Sequence, residues 1–210
     1  MPNKNYLKGR RKEYKIVNKF KDIVIMGGSY DFNGNVIATS EFNFYHDFIA
    51  TSIFFKKFKN ILVIGWEPTK KVQYTIDHLS ESKNIAISKF GGYNDKLYFY
   101  LDLIIRKYSK EMKGVEICDL YTIIAYFYPL SVEQFTLAKQ KVVIDSDTTK
   151  GAFLRSDVHQ VEVKFEHIIE EYYKKGIEYK QGYNIYVEEM SSKAIIEQFS
   201  YILKPLSFSN

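Results

Sequence analysis

Cysteine is nearly absent from this chain. The single Cys118 excludes an intrachain disulfide and removes the small disulfide-stapled folds from consideration. Histidine is scarce too. His46, His78, His159 and His167 stand at no metal-ligand spacing with one another or with Cys118, so no zinc finger or ribbon is expected. There is no glycine-rich phosphate loop ending in Gly-Lys-Ser/Thr and no Ser-His-Asp signature. Long hydrophobic runs are missing: Ile117 to Leu130 is broken by Cys118-Asp119 and by Pro129, well short of the ~20 apolar residues a spanning helix needs. No basic segment, apolar segment and cleavage site follow one another at the N-terminus, so the expectation is a cytoplasmic protein without a membrane segment.

Hydrophobic residues make up 46% and aromatic residues 17% of the 210 positions, enough to bury the core of one globular domain. The net charge of +5 is mild, but Lys4, Lys8, Arg10, Arg11, Lys12, Lys15, Lys19 and Lys21 crowd the start of the chain. That cluster has two readings: a contact for nucleic acid or another acidic surface, or the solvated face of a helix that buries Ile16, Val17 and Phe20. Residues 1–22 are therefore read as a basic arm and helix (Lys8 to Phe20), and residues 23–210 as one domain.

Within that domain, Ile23-Val24-Ile25-Met26 is a short β-branched run that ends at Gly27-Gly28, the pattern of a buried parallel strand opening into a loop. In open α/β sheets such a loop is the usual ligand position. Asp47 precedes a helix-period segment to Phe58, and Ile61 to Ile64 is a second buried strand, so the three form a right-handed parallel crossover. Thr75 starts the next helix, and Lys96 to Lys113 reads as one helix with Leu97, Leu101, Ile104, Ile105 and Tyr108 on a single face, stopped by Gly114. A helix continues to Phe127. Phe135 to Ile144 with Thr148 to Leu154 read as a β-hairpin, with Asp145-Ser146-Asp147 as turn residues. Residues 155–183 look like a charged insertion with a helix at Val161 to Lys175. Asn184 to Val187 returns as a strand, and Ser191 to Leu203 is a closing helix.

Three blocks in fixed order carry a family resemblance: Val24 to Gly28 with Gly34-Asn35-Val36 and Glu41-Phe42-Asn43, then Ile117-Cys118-Asp119-Leu120 with its helix, then Val142 to Gly151. Together they resemble the nucleoside hydrolases, the inosine-uridine preferring N-ribohydrolases. The resemblance implies an α/β fold, a mainly parallel sheet flanked by helices with a C-terminal β-hairpin. It covers roughly the second half of such an enzyme. The family's early D-x-D-x-x-x-D-D cluster, which supplies most calcium ligands and the catalytic base, has no counterpart here.

Carried over position by position, the resemblance makes Met26, Asn35, Glu41 and Asn43 ribose-facing residues and Asp119 the late calcium ligand. Cys118 stands where many members have a histidine, the acid for the leaving base. Each has a plainer reading: Asn35 a left-handed turn residue after Gly34, Met26 core filling, Asp119 a helix N-cap. Amides donate to and accept from hydroxyls and a carboxylate accepts from them, which suits a sugar, whereas a thiol is a poor substitute for imidazole.

The function this implies is hydrolysis of the N-glycosidic bond of ribonucleosides to base and ribose, weak or absent in the isolated chain. Calcium is the implied ion, with most of its ligands unaccounted for. A second copy, or a partner carrying the aspartate cluster, is the implied complement. The alternative is a non-catalytic protein that reuses the scaffold to bind nucleic acid or a partner through its basic arm.

Overall fold

The structure, a computed structural model, describes residues 19–206 except 21, 32, 59, 110–113, 162–163 and 171–181. The expected helix at Lys8 to Phe20 lies almost wholly outside the described residues.

Two apolar tetrapeptides start the sheet. β1 (Ile23–Met26) and β2 (Ile61–Ile64) run parallel in the register Ile23 to Ile61 and Met26 to Ile64. All four residues of β2 are fully buried, and they alternate between the sheet's two faces. Ile61 and Val63 enter an aromatic cluster with Phe44, Phe55, Phe153 and Tyr186, whereas Leu62 and Ile64 join a larger cluster with Leu79, Tyr121, Ile195 and Phe199. At about 1.5–3 kcal/mol per buried aliphatic side chain, this strand contributes on the order of 6–12 kcal/mol of hydrophobic stabilisation before entropy is counted.

β5 (Asn184–Met190) lies parallel beside β2, and β3 (Val132–Val142) and β4 (Phe153–Gln160) complete the sheet as an antiparallel pair. The order is β1-β2-β5-β3-β4. This is the α/β architecture expected, a parallel core extended by a hairpin.

Helix starts follow their capping residues. Asp47 accepts from the Ala50 amide to open α2 (Phe48–Lys57), directly after the short α1 (Phe42–His46). α3 (Trp66–Lys71) leaves β2 through Gly65. Thr75 and His78 form a reciprocal capping box on α4 (Ile76–Phe90), which ends at the left-handed Gly91. Asn94 caps α5 (Asp95–Tyr108), and α6 (Cys118–Phe127) follows. After the short α7 (Phe165–Ile169), Ser191 caps α8 (Ser192–Ile202), which packs against α4. Among the described residues, no helix is long and apolar enough to cross a membrane.

Three expectations need correction. α5 ends at Tyr108 rather than Lys113, with residues 110–113 outside the described set, and Ile104 and Tyr108 are exposed. Ile105 is the buried residue, in line with half-buried Leu97 and Leu101 at i, i+4 spacing, and Ile104 sits about 100° round the helix from that line. The hairpin strands are displaced toward their outer ends: β3 begins at Val132, and β4 runs on to Gln160, so the first six residues assigned to the insertion are sheet. A strand at the sheet edge is held by its backbone ladder and tolerates polar side chains such as Arg155, Ser156 and Asp157. Third, α7 covers only part of Val161 to Lys175, of which 162–163 and 171–175 lie outside the described residues. Glu41-Phe42-Asn43 itself opens α1, whose first amides the Glu41 carboxylate caps.

Candidate functional site

The site is assembled at the C-terminal ends of β1 and β2. Gly27 and Gly28 turn the chain there with φ of +153° and +79°. A Cβ on either would fall 2.5 Å or 2.8 Å from the Phe44 ring, so the close approach of α1 requires glycine at both. The turn is tied to the neighbouring strand and helix: the Gly27 amide donates to the Ile64 carbonyl at 3.1 Å, and the Trp66 amide donates to the Gly28 carbonyl at 2.9 Å.

Glu41 is the clamp. It is 2% exposed, and its carboxylate accepts from the amides of Gly28 (2.9 Å), Asn43 (2.8 Å) and Phe44 (3.3 Å). One side chain thus caps α1 and fastens the double-glycine turn to it. A carboxylate has about four lone-pair sites, so close to one remains for anything else. Asn35 Oδ1 accepts from the Phe42 amide at 2.8 Å, leaving its NH2 group outside that bond. Asn43 Nδ2 donates to the Met26 thioether at 3.4 Å. These bonds draw β1, the loop and α1 onto one rim.

A hollow of about 400 Å³ opens between this rim and the segment leading into α6. Met26, Asn35, Glu41, Asn43, Cys118 and Asp119 all line it. Phe42, Trp66, Glu116 and Ile117 complete the wall. The volume falls within the ~300–1,000 Å³ of small-molecule sites.

Ile117, not Asp119, is the N-cap of α6, and Asp119 sits exposed in the first turn without capping it. There its carboxylate is free of that task and favoured by the helix dipole. Cys118 donates to the Thr69 hydroxyl at 3.5 Å, and burial pushes its thiol pKa up, which makes the thiol a still weaker acid.

Glu116 was not foreseen. Burial pushes its carboxyl up, opposed by a hydrogen bond with Gln73 and by the Lys70 charge. The sequence signal was an isolated acid in the otherwise apolar Val115-Glu116-Ile117. A second carboxylate, Glu67, was also missed. Its Oε1 accepts from the Ser29 hydroxyl (2.7 Å) and from the amides of Tyr30 (2.5 Å) and Asp31 (3.1 Å), pinning the loop beyond the glycines to α3. Burial raises the Glu67 pKa, and the hydrogen bond between the two carboxyls lowers that of Asp31.

The histidines serve other ends. His46 stacks on Phe42 with centroids 5.2 Å apart, His78 completes the α4 capping box, and His159 pairs with Asp157. Asp145-Ser146-Asp147 lies in the β3–β4 turn, where the Thr149 amide donates to the Ser146 hydroxyl.

Calcium takes about six to eight oxygen ligands. Among the described residues, no group of three or more His, Cys, Asp or Glu side chains is placed to hold a metal ion. These residues by themselves do not fit a calcium cage.

A family model described as inosine-uridine preferring nucleoside hydrolase matches residues 9–186. A probable uridine nucleosidase 2 of Arabidopsis thaliana is 35% identical over 113 residues, 51% of this chain and 33% of its own length. The protein of the same description from Oryza sativa subsp. japonica is 26% identical over 69% of this chain and 42% of its own length. A solved inosine-guanosine nucleoside hydrolase superposes with a TM-score of 0.66 at 16% identity, covering 88% of this chain and 52% of that one. The chain thus spans a third to two fifths of these two curated relatives and about half of the solved enzyme. With the family model covering most of its length, this chain belongs to the inosine-uridine preferring nucleoside hydrolase family.

Proposed function

We propose that this chain carries the ribose-facing part of a nucleoside N-ribohydrolase site for hydrolysis of the N-glycosidic bond of ribonucleosides to base and ribose, with weak or absent turnover when alone. The observation that carries the reading is the convergence of Met26, Asn35, Glu41, Asn43, Cys118 and Asp119, from three separate chain segments, on one nucleoside-sized hollow.

The chemistry selects these residue types. Cleavage passes through a ribose with oxocarbenium character, so the sugar hydroxyls must be held while water attacks C1′. Asn35 and Asn43 present amides that both donate and accept, Met26 gives a polarisable floor, and Glu41 holds the rim in register with its remaining lone pair toward the sugar. We assign Asp119 as this chain's carboxylate toward the family's calcium ion. The other oxygen donors and the carboxylate that activates water are not among these residues, and a site lacking its activating base loses ~10²–10⁴-fold in rate.

Calorimetry with ribose, inosine and uridine, with and without calcium, tests the binding half of this reading. No binding of any of them would end it. A reducing-sugar assay on inosine and uridine, run on the chain alone and mixed with a polypeptide bearing the aspartate cluster, tests the catalytic half, with turnover expected to rise on mixing.

The basic cluster from Lys4 to Lys21 favours a second reading, a non-catalytic nucleic-acid or partner-binding protein on the same scaffold. That reading predicts a gel shift of labelled nucleic acid that weakens with salt and disappears when residues 1–20 are removed.

A further inference from the structure

We propose that Glu116 is the proton donor to the departing base, a task to which the neighbouring Cys118 thiol is chemically unsuited. This rests on the hollow being an N-ribohydrolase site.

Glu116 and Cys118 stand two residues apart on the segment that enters α6, and both line the hollow whose opposite rim carries Asn35, Glu41 and Asn43. A group on the Glu116 side therefore lines the same cavity as the rim proposed to hold the sugar, and only three of the wall residues carry a carboxyl. Glu41 has its oxygens committed to three backbone amides and serves as an acceptor. Asp119 is exposed to solvent in the first turn of α6. Glu116 is the half-buried one, and burial makes its carboxyl hold a proton to higher pH than an ordinary glutamate.

The groups around it set the balance. Lys70 and Gln73 from the α3 region favour its charged form, less strongly than burial opposes it. Cys118 and Tyr121 are near enough to feel it: the charge of Glu116 helps push the Cys118 thiol and the Tyr121 phenol up, after burial. Two protonated neighbours and one partly shielded cation leave a carboxyl suited to give up its proton to a stronger base.

In the step, the C1′–N bond breaks and its electron pair passes to the base. The Glu116 carboxyl proton goes to the base atom that receives that charge. Water supplies the oxygen that bonds C1′, and the proton this water loses returns through solvent to the Glu116 carboxylate. The sum is riboside plus water to ribose plus neutral base.

The test uses the whole chain with two substrates: inosine, whose base needs a proton to leave, and p-nitrophenyl riboside, whose phenolate does not. For Glu116→Gln the expected result is a ~10²–10⁴-fold loss in kcat/KM on inosine with less than about threefold loss on the aryl riboside. The fall in wild-type inosine rate toward high pH should vanish in the variant. Equal losses on both substrates, or no loss on inosine, would overturn the proposal while leaving the site intact. Calorimetry supplies a readout without turnover. In buffers of different ionisation enthalpy, inosine binding should take up a proton once the pH exceeds the pKa of Glu116 in the free protein, ribose binding should not, and Glu116→Gln should abolish the uptake. Inosine binding with no uptake at any pH between about 4 and 9 overturns the proposal alone. No binding of inosine or ribose, with no cleavage of either riboside, overturns both the proposal and the reading beneath it.

Discussion

Replacing Glu41 with alanine separates the structural task of this residue from its task toward ligand. The wild-type carboxylate accepts from the amides of Gly28, Asn43 and Phe44, with Gly28 and Phe44 both buried. Two of these bonds are the N-cap of α1, worth about 1–2 kcal/mol. The third holds a buried amide to a charged acceptor, and leaving that donor unsatisfied costs about 1–3 kcal/mol. The sum, about 2–5 kcal/mol, is a large share of the ~5–15 kcal/mol that stabilises a typical domain. Glu41→Gln should lose about half as much, since its amide keeps one acceptor oxygen but turns an NH2 group toward a donor. Urea unfolding followed by far-UV circular dichroism measures the loss. The fluorescence of Trp66, the sole tryptophan, reports on the turn directly, because its amide is bonded to Gly28. The midpoint should drop with m unchanged. A loss under about 1 kcal/mol in Glu41→Ala would refute the clamp and leave Glu41 with ligand as its principal partner.

Gly27→Ala places a Cβ 2.5 Å from the Phe44 ring at a φ of +153°, and the combined overpacking and backbone strain should cost about 2–4 kcal/mol in the same unfolding assay. Asn43→Ala should do the reverse, changing stability by under about 0.5 kcal/mol because the side chain is exposed, while calorimetry shows weakened ribose binding. Glu67 carries a pH signature. Its folded pKa is raised above 4.5 by burial, so the stability it contributes is present below that value and is lost as pH rises through the folded pKa. Asp31, lowered from 3.8, works the other way, its contribution lost as pH falls through its folded pKa. Glu67→Gln should therefore gain stability relative to wild type on going from about pH 4 to pH 7, and a wild-type-minus-variant difference that is flat in pH would contradict the assignment.

Much of the scaffold was legible because local and tertiary forces agree there. Ile23–Met26 and Ile61–Ile64 are apolar runs bounded by glycine or polar residues, and they fold as the parallel pair such runs predict. Asp47, Thr75 and Ser191 cap the helices they announce. Where those forces part, the sequence misleads. The apolar residues of α5 were assigned to one face, but a helix covered along a single line leaves Ile104 and Tyr108 outside it. The polar stretch Arg155 to Gln160 resembles an insertion because strand pairing at a sheet edge is a backbone property that side-chain alternation does not report.

The hollow divides the same way. Its six family-matched residues were named from motifs, since motifs record which side chains meet. How they meet was invisible. Glu41 reads in one dimension as an acid two residues before an asparagine, and only the approach of α1 to the double glycine turns it into a buried acceptor of three amides. Glu116 reads as one acid among apolar neighbours until the segment entering α6 lines the cavity and burial raises its carboxyl pKa. Both carboxylates acquire their chemistry from contacts more than ten residues distant in sequence, Gly28 for Glu41 and the Lys70–Gln73 region for Glu116. The assignment of acceptor to one and proton donor to the other is therefore a property of the folded rim. A substitution that loosens the rim without touching either carboxyl, such as Gly27→Ala, should degrade both roles together.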